Sequence, residues 1–190
     1  IKQDTRTGLV VTMVIYLISI LLAHMLQNTD FSKIQNQRYV SRVQWKNASL
    51  SMTIMLGLSF VLSMIMGLIV GGKLDFVFEK TLGLIALMFV LMVLFTGMNN
   101  WLLNKIKSTG LLISISILLI YLVTAGQLLD ERTKANEVLS YISPLNYIEN
   151  ALTSFLNNQD GWGVVFGISF ILMILVSVLN MSEYKKIKNI

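Results

Sequence analysis

Residues Leu82 to Leu103 read LGLIALMFVLMVLFTGMNNWLL and contain no charged side chain. A helix that crosses the hydrocarbon core of a bilayer needs about 20 predominantly apolar residues, so this segment is long enough to span a membrane. A transmembrane β-strand would be about half as long and would alternate apolar with polar residues, whereas Ile85 to Leu94 is apolar at every position. The segment therefore predicts a membrane-spanning helix.

Four further uncharged runs repeat this pattern along the chain. With the first they predict five spans, which are Gly8 to Leu26, Leu50 to Val70, Leu82 to Leu103, Leu111 to Leu129 and Gly163 to Met181. The composition agrees, because 55% of the 190 residues are hydrophobic, only 13% are charged, and the mean hydropathy is +0.70. A soluble domain carries about 25% charged residues. We therefore expect an all-α membrane protein in which residues 1–190 form one transmembrane domain in a bilayer.

The cationic residues predict which way the spans point. Five crossings place the two ends of the chain on opposite sides, and Lys and Arg are enriched in cytoplasmic loops. The C-terminal side carries Lys33, Arg38, Arg42, Lys46, Lys105, Lys107, Lys185, Lys186 and Lys188, whereas the other side carries Lys2, Arg6, Lys73, Lys80, Arg132 and Lys134. We expect residue 1 to be extracellular and the C-terminus cytoplasmic in a multi-pass protein of the cell membrane. An outward-facing start at Ile1, rather than at a Met, also predicts that a further span lies upstream.

Several classes of chemistry are excluded or disfavoured by the sequence. The chain has no Cys, which rules out disulfides and thiolate metal sites, and it has no Gly-rich phosphate loop. His24 has no second ligand at metal-binding spacing, and no span carries an ionisable residue suited to a proton relay. The net charge of +5 flanks the membrane, where anionic lipid explains it better than nucleic acid does. We expect no enzyme activity, cofactor, metal, nucleic acid or small-molecule substrate.

Small residues recur at every fourth position in the second span and, more weakly, in the last one. Small side chains let helix backbones approach closely, which drives association in lipid. Packing within the bundle is the simplest interpretation, and a homodimer contact or a sliding surface are the alternatives. The predicted packing face consists of Ser59, Ser63, Gly67, Gly71, Gly163 and Gly167.

Residues 143–156 read SPLNYIENALTSFL and predict a short helix before the last span. Ser at the N-cap and Pro at the first helical position are typical of a helix start, and the apolar residues that follow form one stripe. The helix is too short to span, so it should lie flat on the outer surface or re-enter among the spans. Its candidate functional residues are Ser143, Pro144, Leu145, Tyr147, Ile148, Leu152 and Phe155.

Two polar features remain. The predicted cytoplasmic connection from Gln27 to Ser49 mixes aromatic and aliphatic residues with cations, so it either anchors at the membrane surface or contacts a cytoplasmic partner. The candidate partner contacts in it are Arg38, Arg42, Trp45 and Lys46. Asn99 and Asn100 form the most polar pair inside a span, which predicts hydrogen bonds between helices.

Three stretches in this five-span arrangement resemble the C-terminal membrane region of the EsaA/YueB family, within the wider YhgE/Pip group. They are WLLNKIKSTG at 101–110, ISPLNYIEN at 142–150, and LNM at 179–181. The family comprises accessory membrane proteins of the type VII secretion system. The resemblance implies an upstream helix and a long extracellular domain before these five helices. It also implies a homodimer and other secretion membrane subunits as partners.

The wider group is also similar to permeases of type-2 ABC exporters. In those permeases a short cytoplasmic helix couples to an ATPase and short external helices precede the last span. Residues Gln27 to Ser49 and Ser143 to Leu156 occupy the corresponding places. Two functions therefore stand side by side: a non-enzymatic subunit that anchors and assembles a type VII secretion apparatus, and a permease subunit that works with a separate ATPase.

Overall fold

The computed structural model describes residues 5–26, 41–125 and 133–186, with side chains described over 7–26, 52–125 and 133–181. The described residues form seven α-helices and are otherwise turns. These helices are α1 (Thr5–Leu26), α2 (Ser41–Lys73), α3 (Phe78–Ile106), α4 (Ser108–Ala125), α5 (Lys134–Ile142), α6 (Pro144–Leu156) and α7 (Trp162–Lys186).

The prediction of five helices that are long and apolar enough to span a membrane is confirmed. Five of the described helices are long and apolar enough to cross a bilayer, and each overlaps one predicted segment. They cover Thr7–Leu26, Met52–Lys73, Phe78–Ile106, Ser108–Ala125 and Trp162–Met181. The third is longer than predicted at both ends, and the last four residues of the predicted fourth span lie outside the described residues.

The connection between α3 and α4 is tighter than the sequence indicates. The predicted spans leave residues 104–110 as a connection, but α3 continues to Ile106 and α4 begins at Ser108, so Lys107 alone joins them. Lys107 adopts a left-handed conformation with φ 53°, and its N–H donates to the Leu103 carbonyl at 3.0 Å. The chain therefore reverses at one residue. We call this end of the bundle the Lys107 end and the opposite end, where α2 meets α3, the Asp75 end.

Helix α3 lies at the centre of the bundle. It packs against α1, α2, α4 and α7, and 72% of its most apolar segment is buried. Leu84, Met88 and Met92 are fully buried along it, and the Phe95 ring meets the Tyr16 ring of α1 edge-on with centroids 5.4 Å apart. Residues 82–103 therefore form the core of the fold.

Two short helices precede the last span, where the sequence predicted one. Helix α6 has the predicted bounds, whereas α5 lies in a stretch for which the sequence predicted no helix. Helix α6 packs against α1, α4 and α7, and its Leu145 and Leu152 side chains are fully buried. Its apolar stripe is therefore covered by the other helices. On which side of a membrane it lies remains a prediction.

The described part of the predicted connection from Gln27 to Ser49 is helical. Helix α2 begins at Ser41, so the last nine positions of that stretch, 41–49, continue into the second span without a break. No Gly or Pro interrupts residues 41–49, so nothing in the local sequence ends the helix there. Residues 27–40 lie outside the described residues.

Candidate functional site

Hydrogen bonds between side chains join three helices in the Lys107 half of the bundle. Asn99 on α3 donates through Nδ2 to Ser19 Oγ on α1 at 3.3 Å, and Ser114 Oγ on α4 donates to Asn99 Oδ1. The Tyr16 hydroxyl donates to the Ser114 carbonyl at 3.0 Å. All four residues are buried. In an apolar medium such contacts position helices specifically, because no water competes for them.

A second pair of amides attaches α7 to α3. Asn100 Nδ2 donates to Asn180 Oδ1 at 3.2 Å, and Asn180 Nδ2 donates to the Gly97 carbonyl at 2.9 Å. The helices are close at this point, because a Cβ at Gly97 would lie 2.6 Å from Val176 Cγ1. The predicted hydrogen bonding of Asn99 and Asn100 between helices is therefore confirmed. We call Ser19, Asn99, Asn100, Ser114 and Asn180 the polar belt.

A buried tyrosine and a carboxyl group connect α4 to α6 toward the Asp75 end. The Tyr121 hydroxyl donates to Glu149 Oε2 at 2.9 Å, and Tyr121 has no exposed surface. Burial raises the pKa of the Glu149 carboxyl, while the hydrogen bond from Tyr121 opposes that rise. The sequence pattern did not identify Tyr121 as a partner of α6.

Lys80 contacts the C-terminal end of α6. Its Nζ donates to the Leu156 carbonyl at 2.9 Å and lies 3.9 Å from the centre of the Phe76 ring. A cation at a helix C-terminus satisfies carbonyls that lack a partner within the helix and interacts favourably with the helix dipole. Phe155, at the end of the same helix, meets the Trp162 ring edge-on at 5.1 Å. Helix α6 is thus fixed at its middle and at its C-terminal end.

The structure divides the predicted α6 residues by exposure. Leu145, Ile148 and Leu152 face the interior of the bundle, whereas Tyr147 is exposed and donates to the Tyr141 carbonyl of α5 at 3.0 Å. Pro144 is the first residue of the helix, as expected. Ser143 occupies the N-cap position, but its hydroxyl makes no capping hydrogen bond. Its extended backbone and the following Pro are sufficient to start the helix.

The predicted small-residue face also divides. On α2, Ser59 and Ser63 are buried, and a Cβ at Gly71 would lie 2.8 Å from Thr81 Oγ1 of α3. A Cβ at Gly67 would lie closer still to the Ile85 side chain of α3. On α7, a Cβ at Gly163 or Gly167 would meet nothing within 4 Å. Gly67 and Gly71 of α2 therefore face α3, whereas Gly163 and Gly167 of α7 face away from the described part of the chain.

The predicted partner contacts near the start of α2 are described only in part. Arg38 lies outside the described residues. Arg42, Trp45 and Lys46 belong to the first turns of α2, and their side chains also lie outside the description. Their contacts stay a prediction.

The polar side chains of this region connect neighbouring helices. Within residues 5–26, 41–125 and 133–186, no group of three or more His, Cys, Asp or Glu could hold a metal ion. The polar side chains described above donate to carbonyl or amide oxygens, a hydroxyl or a carboxylate of neighbouring helices. Such contacts fix how helices pack, and this is the chemistry that the arrangement provides.

Comparison with known proteins gives a consistent result. The model of the EsaA helical domain matches residues 4–181. The type VII secretion system accessory factor EsaA of Staphylococcus aureus strain USA300 is 30% identical over 192 residues, which cover 97% of this chain and 19% of that protein. Its counterpart in strain MRSA252 is 26% identical over 191 residues, again 97% and 19%.

The chain spans about a fifth of the length of these curated relatives. No solved structure matches it. The family match nevertheless covers all five apolar helices, the polar belt and α6. The chain therefore belongs to the family of EsaA helical domains.

Proposed function

We propose that this chain is the membrane part of a non-enzymatic type VII secretion subunit, which anchors and assembles the apparatus through helix packing. The observation that carries the proposal is the match of 97% of the chain to proteins named as accessory factors of that system. Residue 1 then lies outside the cell and the C-terminus lies in the cytoplasm, as the distribution of cations predicts.

The uneven burial of the helices supports an assembly role. Only 6% of the most apolar segment of α7 is buried, and α2 also exposes large apolar side chains along its length. Among them are Phe60, Ile65 and Leu68 on α2 and Ile171 and Leu175 on α7. Lipid covers part of this surface, and the rest is available to other membrane subunits.

We further propose that a second copy of the chain contacts the open face of α7. Gly163 and Gly167 lie four positions apart on that helix, and nothing within the described residues approaches the place of a Cβ on either. Small residues at this spacing let two helices approach closely in lipid. This face suits a homodimer contact better than the α2 stripe, whose glycines already face α3.

We propose that residues 38–46 contact a cytoplasmic partner. The cations Arg38, Arg42 and Lys46 with Trp45 would contact an acidic or aromatic surface on another subunit. A permease function remains a prediction from the sequence pattern alone. The matched family is the EsaA helical domain, and the relatives are named as type VII secretion accessory factors. No observation on the described residues favours it.

Purification of the full-length protein in a gentle detergent tests the main proposal. We expect other secretion membrane proteins to copurify with it. Recovery of a nucleotide-binding subunit of an ABC exporter, with ATPase activity that a substrate stimulates, would contradict the proposal and support the permease.

Two sets of variants refine the test. Gly163→Leu with Gly167→Leu should abolish recovery of a differently tagged second copy, while Gly57→Leu should not, because Gly57 is equally open but lies on α2. Arg38→Glu with Arg42→Glu should reduce recovery of cytoplasmic partners, while Lys185→Glu with Lys186→Glu serves as a charge-matched control. Unchanged recovery in the first double variant would remove the α7 face from the proposal.

A further inference from the structure

A cavity of about 350 Å³ lies between α1, α3, α4, α6 and α7. Its inner wall includes Tyr16, Phe95 and Leu145, each with less than a tenth of its surface exposed. Ile117 of α4 and Ile168 and Leu172 of α7 also line it, and the last two are exposed on the outer surface of the bundle. The cavity therefore extends from the centre of the bundle to the surface between α4 and α7.

The walls of this cavity are almost entirely apolar. Among the lining residues, the Tyr16 and Tyr147 hydroxyls already donate to the Ser114 and Tyr141 carbonyls, Ser169 adds one further hydroxyl, and the remaining side chains are apolar. A water molecule in a protein interior needs two to four polar partners, and apolar cavities that lack them stay dry. An empty space of this size leaves its lining without van der Waals contacts. Water is thus a poor occupant, and an apolar group is a good one.

The mouth of the cavity lies at the depth of the bilayer. Ile168 is 54% exposed and Leu172 is 43% exposed, and both belong to the last apolar span. Ile117, also in the lining, belongs to the fourth span. The medium that surrounds such residues is lipid acyl chains rather than water. Tyr147, which is 48% exposed, also lines the cavity, from α6.

We propose that this cavity binds an acyl chain of a membrane phospholipid, which enters sideways between α4 and α7. The size fits, because an apolar cavity of about 150 Å³ holds benzene, so one of about 350 Å³ has room for roughly a dozen carbons. A flexible methylene chain also fits the narrow space between helices. A helix of a partner protein does not, because its diameter with side chains is about 10–12 Å.

The proposal predicts which residues of α3 a bound acyl chain contacts. Leu94 and Phe95 line the cavity, although they are only 7% and 4% exposed. Met88 and Met92 on the same helix are fully buried but lie outside the cavity lining. A lipid chain in the cavity should therefore reach the first pair and not the second. Residues of similar burial on one helix thus provide a matched comparison.

The test uses the full-length protein in vesicles of phosphatidylglycerol and phosphatidylcholine. The probe is phosphatidylcholine that carries a diazirine midway along one acyl chain. After illumination, mass spectrometry of the peptides should find adducts on Leu94 or Phe95, at least tenfold above those on Met88 and Met92. Adducts confined to exposed positions such as Ile171, or equal labelling of the two pairs, would overturn the proposal.

A filled cavity provides an independent measurement. Ile117→Trp places a larger side chain in the cavity and should reduce labelling of Leu94 and Phe95 at least fivefold. Ile113→Trp, on the lipid-exposed side of the same helix, should leave it unchanged. If Ile117→Trp does not fold, the labelling contrast within the unmodified protein still decides the question. Labelling that persists in a folded Ile117→Trp protein would contradict the proposal.

Discussion

Helices α3 and α7 are similar in sequence and opposite in environment. Both are long, apolar and free of charge over a full span, yet 72% of the most apolar segment of α3 is buried against 6% for α7. Hydrophobicity therefore determines that both enter a bilayer, but it does not determine which one the others surround. In lipid, apolar side chains gain little by leaving acyl chains for each other.

The difference arises from small and polar residues. Helix α3 presents Thr81, Gly97, Asn99 and Asn100 to its neighbours, and each lies at a close approach or a hydrogen bond between helices. Helix α7 makes such a contact through Asn180, while Gly163 and Gly167 stay open. The position of a helix in this bundle therefore follows from a few small and polar residues, and substitution of each residue tests its contribution.

The largest effect is expected for Gly97→Leu. A side chain there would collide with Val176 and displace Asn180 from the Gly97 carbonyl. Overpacking of this kind costs about 1–3 kcal/mol, and the lost amide contact adds to it, so we expect the free energy of unfolding to fall by about 3 kcal/mol. Unfolding of the detergent-solubilised protein by denaturant measures the change.

Gly167→Leu is the matched control on α7. It adds the same side chain where nothing lies within 4 Å, so we expect a change within about 0.5 kcal/mol for the single chain. A loss as large as that of Gly97→Leu would show that α7 is enclosed as fully as α3. The contrast between the two helices would then be wrong.

Much of the fold follows from the sequence because lipid imposes strict requirements. Five uncharged runs of sufficient length predict five helices, and Ser143 with Pro144 predicts where α6 begins. Helix α5 was missed because Lys134 to Ile142 is only nine residues long and polar at its start. The end of α3 was misplaced because Lys107 adopts a conformation that carries little signal in a non-glycine residue.

A second, smaller effect is expected for Tyr121→Phe. The change removes the hydroxyl that donates to Glu149 and leaves a partly buried carboxyl without this partner. Hydrogen bonds to charged groups contribute about 1.5–3 kcal/mol, and because Glu149 is only about half buried we expect a loss near the lower end of that range. Tyr147→Phe is the control, because its hydrogen bond to Tyr141 is exposed and its removal should cost less than about 0.5 kcal/mol. Equal losses would indicate that α6 is not held from α4.

The candidate site was predictable only where a polar residue stands out against an apolar span. Asn99 and Asn100 are conspicuous for that reason, and their contacts were expected. Their hydrogen-bond partners Ser19, Ser114 and Asn180 were not identified. Serine is common in these helices, and which polar side chains meet depends on how each helix is rotated about its axis. The sequence indicated Lys80 only as a cation beside a span. Its hydrogen-bond partner, the Leu156 carbonyl, lies 76 positions away along the chain, so the pairing depends on the fold.

A third prediction concerns the attachment of α7. Asn100→Leu and Asn180→Leu, made singly and together, form a double-mutant cycle across the amide contact. Measured couplings between transmembrane side chains average about 0.6 kcal/mol and reach about 1.7, so we expect a coupling near 1 kcal/mol. A coupling indistinguishable from zero would mean that close packing at Gly97, rather than the amides, holds α7 to α3.

The smallest effect is expected in the pH dependence of stability. Burial raises the pKa of the Glu149 carboxyl in the folded protein above its value in the unfolded chain, about 4.3, so between these two values the folded state binds the proton more readily. Its contribution to stability is then fully present below the unfolded value and is lost as pH rises through the folded value. Glu149→Gln should remove this part of the slope when unfolding is followed from pH 4 to pH 7. An unchanged slope would mean that the carboxyl reaches water in the folded state, so that α6 is covered less completely than its buried Leu145 and Leu152 indicate.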